Sequence, residues 1–216
     1  MKYFKQLFVL FVVVFLTTHS VIAADDPNLN EIDYLKKIDL IHLELKDGLV
    51  STQKTGHLNA DFLNQALEYQ RALIALSKNE LQYGERQELK EPVNQLIHRF
   101  KLNLKKINKV QKKISENPTF DEAKESAYLS SYEGIYQQIL NELKGENEAP
   151  TALLGDSIDA DFLIRILKQS EVWTVFVNNV LQQTESQEVK ELASDLIKSN
   201  ELLKEDISKL MNQMKE

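Results

Sequence analysis

The stretch Ala60-Asp61-Phe62-Leu63 (ADFL) returns, unchanged, as Ala160-Asp161-Phe162-Leu163. The interval is 100 residues, and laying 59–110 over 159–210 without a gap gives identity at 18 of 52 positions. Two helices that shared only an amphipathic pattern would match at apolar positions. Here Asp61, Gln82, Glu85 and Gln87 match as well, and QELKE at Gln87 to Glu91 faces QEVKE at Gln187 to Glu191. The spacing therefore reads as an internal duplication. Working backwards, ELK at Glu44 to Lys46 pairs with ELK at Glu142 to Lys144, an offset of 98 that lays Tyr34 over Tyr132 and Ile41 over Ile139. On that register the second copy has gained two residues in its next loop.

Each unit then holds three helices. Ile32, Leu35, Ile38, Ile41, Leu45 and Leu49 recur at steps of three and four, predicting a helix from Asn30 to about Gly48. A second helix, capped by Asn59 and ending at Gly84, carries Phe62, Ala66, Leu73 and Leu76. The third carries Val93, Leu96, Ile97, Phe100, Leu104 and Ile107, with Pro92 in its first turn or at a kink. Thr119-Phe120-Asp121-Glu122 has the form of a capping box for the fourth, which carries Tyr128, Tyr132, Ile135 and Ile139. Asp159 is the expected cap of the fifth, and the sixth runs from about Ser186 to Met214. Hardly any stretch alternates with period two, so no sheet is expected.

The chain opens MKYFKQLFVLFVVVFLTTHSVIAADD. A basic start at Lys2 and Lys5, ten apolar residues from Leu7 to Leu16 and Val21-Ile22-Ala23 ahead of a cut have the form of a secretory signal peptide ending at Ala23 or Ala24. Ten residues are half of the ~20 that a bilayer span needs. Loss of Lys2 and Lys5 leaves 24 basic against 33 acidic residues, 24 − 33 = −9. That balance disfavours nucleic acid and, for the chain as a whole, anionic lipid. With no cysteine there is no disulfide, thiol nucleophile or thiolate metal site.

The paired helices resemble the hairpin of exported bacterial ferritin-like domains of unassigned function. One such family has an aromatic-led helix followed by a PEVK-x-x-A-x-x-M-x-x-D-H helix. Another has a His-His pair on its first helix and is linked to periplasmic copper handling. The Phe162 to Val189 spacing equals theirs, and SQEVKELASDLIKSN, Ser186 to Asn200, is similar to the start of their second helix. The resemblance covers both hairpins and implies a ferritin-like four-helix scaffold. Its ligand positions are replaced, however. Tyr69-Gln70 and Gln169-Ser170 stand where His-His would be, and Phe100 and Asn200 where the terminal His would be. Ala66, Leu76, Ile166 and Phe176 fall on the methionine positions. The resemblance thus implies the scaffold without the metal chemistry.

The residues themselves offer little more for a metal. A di-iron bundle uses Glu from two helices and Glu-x-x-His from two others, and only Asp39-x-x-His42 and Gln95-x-x-His98 come near. Asp39, His42 and His98 are weak candidate ligands on that basis. No Gly-x-Ser-x-Gly or phosphate-binding glycine loop is present, and no catalytic residue is assigned. One feature is confined to the first unit. Arg99, Lys101, Lys105, Lys106, Lys109, Lys112 and Lys113 fall in fifteen residues without an acid, whereas 199–213 mixes both signs. Such a stretch either docks an anionic partner or complements the helix dipole and neighbouring acids.

These readings together predict an all-α bundle of two tandem three-helix repeats, a ferritin-like four-helix core with two extra helices. The expected divisions are a signal peptide at 1–23, a first repeat at 24–116 and a second at 117–216, both repeats sharing one domain. The functional expectation is a periplasmic or secreted, non-catalytic binding protein without a cofactor, whose partner is a protein or another envelope component and not nucleic acid. No transmembrane span is expected after signal cleavage. The alternative is a periplasmic copper- or iron-binding protein with a degenerate site.

Overall fold

The computed structural model describes residues 27–52, 55–116, 121–144 and 152–214, and their regular structure is entirely helical. Six helices follow one another: α1 (Pro27–Ser51), α2 (Leu58–Tyr83), α3 (Lys90–Glu116), α4 (Glu122–Lys144), α5 (Ile158–Gln183) and α6 (Gln187–Gln213). A 3-10 turn, Gln87–Leu89, leads into α3, and Pro92 sits in the first turn of that helix, where its missing N–H costs nothing. The segment read as a signal peptide, 1–23, lies outside the described residues. Among the described helices none is long and apolar enough to cross a membrane.

Helices α2 and α3 form one hairpin and α5 and α6 another, and the hairpins close a four-helix ring through α2 against α5 and α3 against α6. Helix α1 lies on α2, α4 lies on α5, and α1 and α4 meet each other. One continuous apolar cluster takes side chains from all six helices. The packing load is uneven. Helices α3 and α6 bury one stripe, for example Val93, Leu96, Phe100 and Ile107 on α3, as their three- and four-residue spacing requires. Helices α2 and α5 are buried on most sides, polar positions included. Aromatic rings join the hairpins: Phe62 lies 5.2 Å from Phe176, and Tyr69 stacks on Trp173 at 4.7 Å and 12°.

The helix starts differ from the sequence reading in an informative way. Asn59 and Asp159 do not cap the helices they open. Helix α2 begins at Leu58, with His57 at the cap position and no side-chain cap. The cap of α5 is Ser157, whose Oγ accepts from Ala160 N at 3.2 Å. At α4 the cap is Asp121, accepting from Lys124 N at 3.1 Å, while Thr119 and Phe120 lie outside the described residues. Helix α1 is longer than predicted at both ends, since Pro27 fits a first turn and Thr52 Oγ1 closes the last by donating to the Gly48 and Leu49 carbonyls.

The register of α1 against α4 also needs correcting. Asn79 Nδ2 donates to Tyr34 O at 3.1 Å, and Asn179 Nδ2 reaches Tyr128 O at 3.5 Å. Tyr34 therefore corresponds to Tyr128 and not to Tyr132, an offset of 128 − 34 = 94, and the second loop is six residues longer rather than two. The ELK match is one helical turn out of step. Short triplets rich in charge recur by composition, whereas the Asn-to-carbonyl contact is fixed by geometry.

Phe62, fully buried and facing Phe176 across the hairpins, tests whether the core is shared. Truncating it to alanine should cost about 3–5 kcal/mol. In urea titrations, far-ultraviolet circular dichroism and Trp173 fluorescence should shift together. A Trp173 transition left in place would mean that the halves unfold separately.

Candidate functional site

Tyr69, Gln70, Phe100, Gln169, Ser170 and Asn200 are all buried inside the bundle, and their polar groups are engaged by the protein itself. Tyr69 donates to the Gln169 carbonyl while stacking on Trp173, and Gln169 Nε2 donates to Ile139 O at 3.0 Å. Gln70 Oε1 accepts from Asn103 Nδ2 at 3.2 Å. Asn200 Nδ2 donates to Ser170 O at 2.6 Å and to Thr174 Oγ1 at 2.9 Å. The void left between Gln70, Trp173, Asn103 and Asn200 is about 10 Å³, the lower limit for one water. Rings and amides fill the centre of the bundle.

A charged network flanks this centre. Asp161, fully buried, accepts from Arg165 Nε at 2.6 Å, from Arg165 Nη2 at 3.0 Å, from Tyr34 Oη at 2.7 Å and from Leu154 N at 2.6 Å. Burial first, and then the Asp161 carboxylate, push the Tyr34 phenol well above its usual 10.0, so it remains a donor. One carboxylate thus ties α1, α5 and the loop before α5 together. The matching Asp61 accepts from Thr55 N at 2.9 Å and Thr55 Oγ1 at 2.9 Å, again holding the loop before its own helix. Gln65 replaces Arg165 there and accepts from Tyr128. The acid of ADFL is therefore a loop anchor.

The hairpin turns hold a second acidic site. Asp159 accepts from Glu85 N at 3.2 Å and Arg86 N at 3.1 Å, so it closes the α2–α3 turn. In mirror fashion Asn59 Oδ1 accepts from Thr184 Oγ1 at 2.6 Å in the α5–α6 turn. Glu80 is buried beside Asp159. Burial, and then the neighbouring Asp159 carboxylate, push its carboxyl up to about 9. Ionised, Glu80 Oε2 would have no donor; protonated, it can donate to Asp159. Gly84 ends α2 with an ordinary φ of −63°, so no left-handed cap is needed. A Cβ at that position would collide with the Glu80 carboxyl. Neither Glu80 nor Arg165 was singled out from the sequence. Their signal was available, since the matched positions carry Val180 and Gln65.

Of the weak metal candidates, His42 is buried and Asp39 half-buried on α1, whereas His98 is exposed on α3. Among the described residues no three His, Asp or Glu side chains gather in a way that could hold a metal ion.

Two members of the basic run of α3 are ion-paired. Arg99 Nη2 pairs with Asp206 at 2.6 Å and Lys106 Nζ with Asp195 at 2.9 Å, both on α6. Lys109 and Lys113 line the same α3–α6 side, in a groove of about 720 Å³ whose α6 wall includes Glu188, Glu191 and Asp195. Lys101, Lys105, Lys109 and Lys112 follow one another at steps of four, four and three along the exposed side of α3, with Lys109 at the edge of the groove. All four are exposed and make no ion pair among the described residues. Compared with protein-family models, curated proteins and solved structures, the chain matches none.

Two substitutions probe the interior charges. Glu80 is neutral in the fold at pH 7 but ionises near 4.5 when unfolded, so the folded chain holds one more proton between about 4.5 and 9. Its contribution to stability is complete below 4.5 and is lost as pH rises to about 9. Glu80→Gln should remove that slope, gaining on the parent by on the order of a few kcal/mol between pH 5 and pH 9 in denaturant titrations. Arg165→Met should cost about 3–5 kcal/mol by stranding a buried carboxylate. Arg165→Gln, which copies the Gln65 arrangement, should cost distinctly less in the same measurement.

Proposed function

We propose that this is an exported, non-catalytic binding protein of the bacterial envelope on a duplicated, ferritin-like scaffold that has lost its ligands. Its outer α3 face docks an anionic envelope component. The observation that carries the reading is the row Lys101, Lys105, Lys109 and Lys112, solvent-facing and unpaired among the described residues. A chain with net charge −7 disperses its lysines among acids elsewhere, and the matched α6 positions are Glu201, Glu205, Lys209 and Asn212. The row therefore belongs to this helix and not to the scaffold. Export rests on the N-terminal segment, and the ferritin-like ancestry on the spacing of the paired helices. The metal-binding alternative would need His42 and His98 to act together, and one is buried on α1 while the other is exposed on α3.

Cosedimentation with isolated envelopes tests the docking face. Each lysine near an anionic surface contributes about 1 kcal/mol, so K101E/K105E/K109E should weaken binding roughly a hundredfold at low salt. The parent's binding should fall as ionic strength rises. Binding unchanged by the triple reversal would remove the proposal. Elemental analysis of the same untagged protein decides the alternative, which requires near-stoichiometric metal that is lost on replacing His42 or His98.

A further inference from the structure

Helix α1 has two apolar faces. One, with Tyr34, Ile38, Ile41 and Leu45, is buried in the bundle. The opposite one, with Leu29, Ile32, Leu40, Leu43 and Val50, is open: Leu40 is 42%, Leu43 47% and Val50 67% exposed. Lys36 and Asp47 complete this stripe, which keeps coiled-coil spacing along the helix. The scaffold does not demand it. Helix α4 occupies the matching place on α5, and 94 residues after Leu29, Ile32, Leu40 and Leu43 it carries Ala123, Ser126, Gly134 and Gln137, all exposed. An apolar row present on one helix and replaced on its counterpart calls for a cover of its own.

We propose that the cover is a second copy of this chain, with α1 packing antiparallel on α1 of the partner about a twofold axis. The charges choose both the occupant and the direction. When the axis passes between residues 41 and 42, facing residues have numbers that sum to about 83. Leu40 then meets Leu43 of the partner subunit, and Ile32 meets Val50 of the partner subunit. Lys36 falls opposite Asp47 of the partner subunit. On the flanks Lys37 faces Glu44 of the partner subunit, and Asp39 faces Lys46 of the partner subunit. Symmetry repeats each contact. A parallel pair would instead set Lys36 on Lys36 and Asp47 on Asp47 of the partner subunit, so the pattern is self-complementary in the antiparallel sense only. The interface is one helix wide and 25 residues long at most, about 37 Å, which places it at the small end of specific interfaces. Dimerisation is expected in the micromolar range. The inference rests on α1 alone and stands or falls independently of the α3 face.

Sedimentation equilibrium of the full chain, purified as its host processes it, should show a monomer–dimer equilibrium. L40E/L43E should raise the dissociation constant by about a hundredfold or more, with circular dichroism and melting temperature unchanged at dilutions where the parent is itself monomeric. K36E/K37E should raise it about tenfold, and adding E44K/D47K to the same chain should restore it. Only pairing with a second copy can be rescued by changes within one chain. A monomer up to about 1 mM, a dimer indifferent to L40E/L43E, or a charge swap without rescue would each overturn the proposal. So would a monomer that binds phosphatidylglycerol vesicles through this stripe, since the cover would then be a membrane.

Discussion

A helix enclosed on most sides must match most of the polar groups it carries, and α2 and α5 are enclosed in this way. Burying an unmatched amide or carboxylate costs more than a single hydrogen bond returns, so such residues dictate where their neighbours stand. Asn79 requires the Tyr34 carbonyl, Asp161 requires Arg165 and Tyr34, and Asp159 requires the Glu85 and Arg86 amides. Nonspecific apolar packing would let the hairpins slide on one another. These contacts set one register for α1 and one mating of the hairpins, with the aromatic stack of Tyr69 on Trp173 filling the space between.

The all-helical class could be read from apolar spacing because α3 and α6 are amphipathic, each with one face to the core and one to water. The same logic fails on α2 and α5. Gln65, Gln70, Asn79 and Glu80 look like surface residues on a helical wheel, and all four are buried. What buries them lies in the other hairpin or on the leading helices, which no local window includes. Cap assignment failed for a related reason. Asn59 and Asp159 have cap chemistry and stand near helix starts, yet their oxygens serve turns of the opposite half. The candidate site was legible in part: the basic run is plain in the sequence, but which of its members meet acids of α6 depends on where α6 lies.

Matched halves also act as internal controls. Where the halves agree, as at Asp61 and Asp161 or Asn79 and Asn179, the shared residue anchors a loop or a leading helix. Where they differ, the difference is informative. Val180 can stand where Glu80 does, so the buried acid is not a requirement of the packing. The open apolar row of α1 and the lysine row of α3 also have no counterpart on α4 and α6, and specialised properties collect at such positions.

The exchanged turn contacts have a consequence for the order of folding. The Glu85 and Arg86 amides wait for an acceptor 74 and 73 residues further along the chain, and Thr184 finds its own in Asn59, 125 residues back. As the chain is synthesised, the first hairpin can gather its apolar stripe early, but its turn stays open until Asp159 has been made. Closure is thus deferred to the arrival of the second half, which lengthens contact order and slows completion relative to an ordinary local bundle.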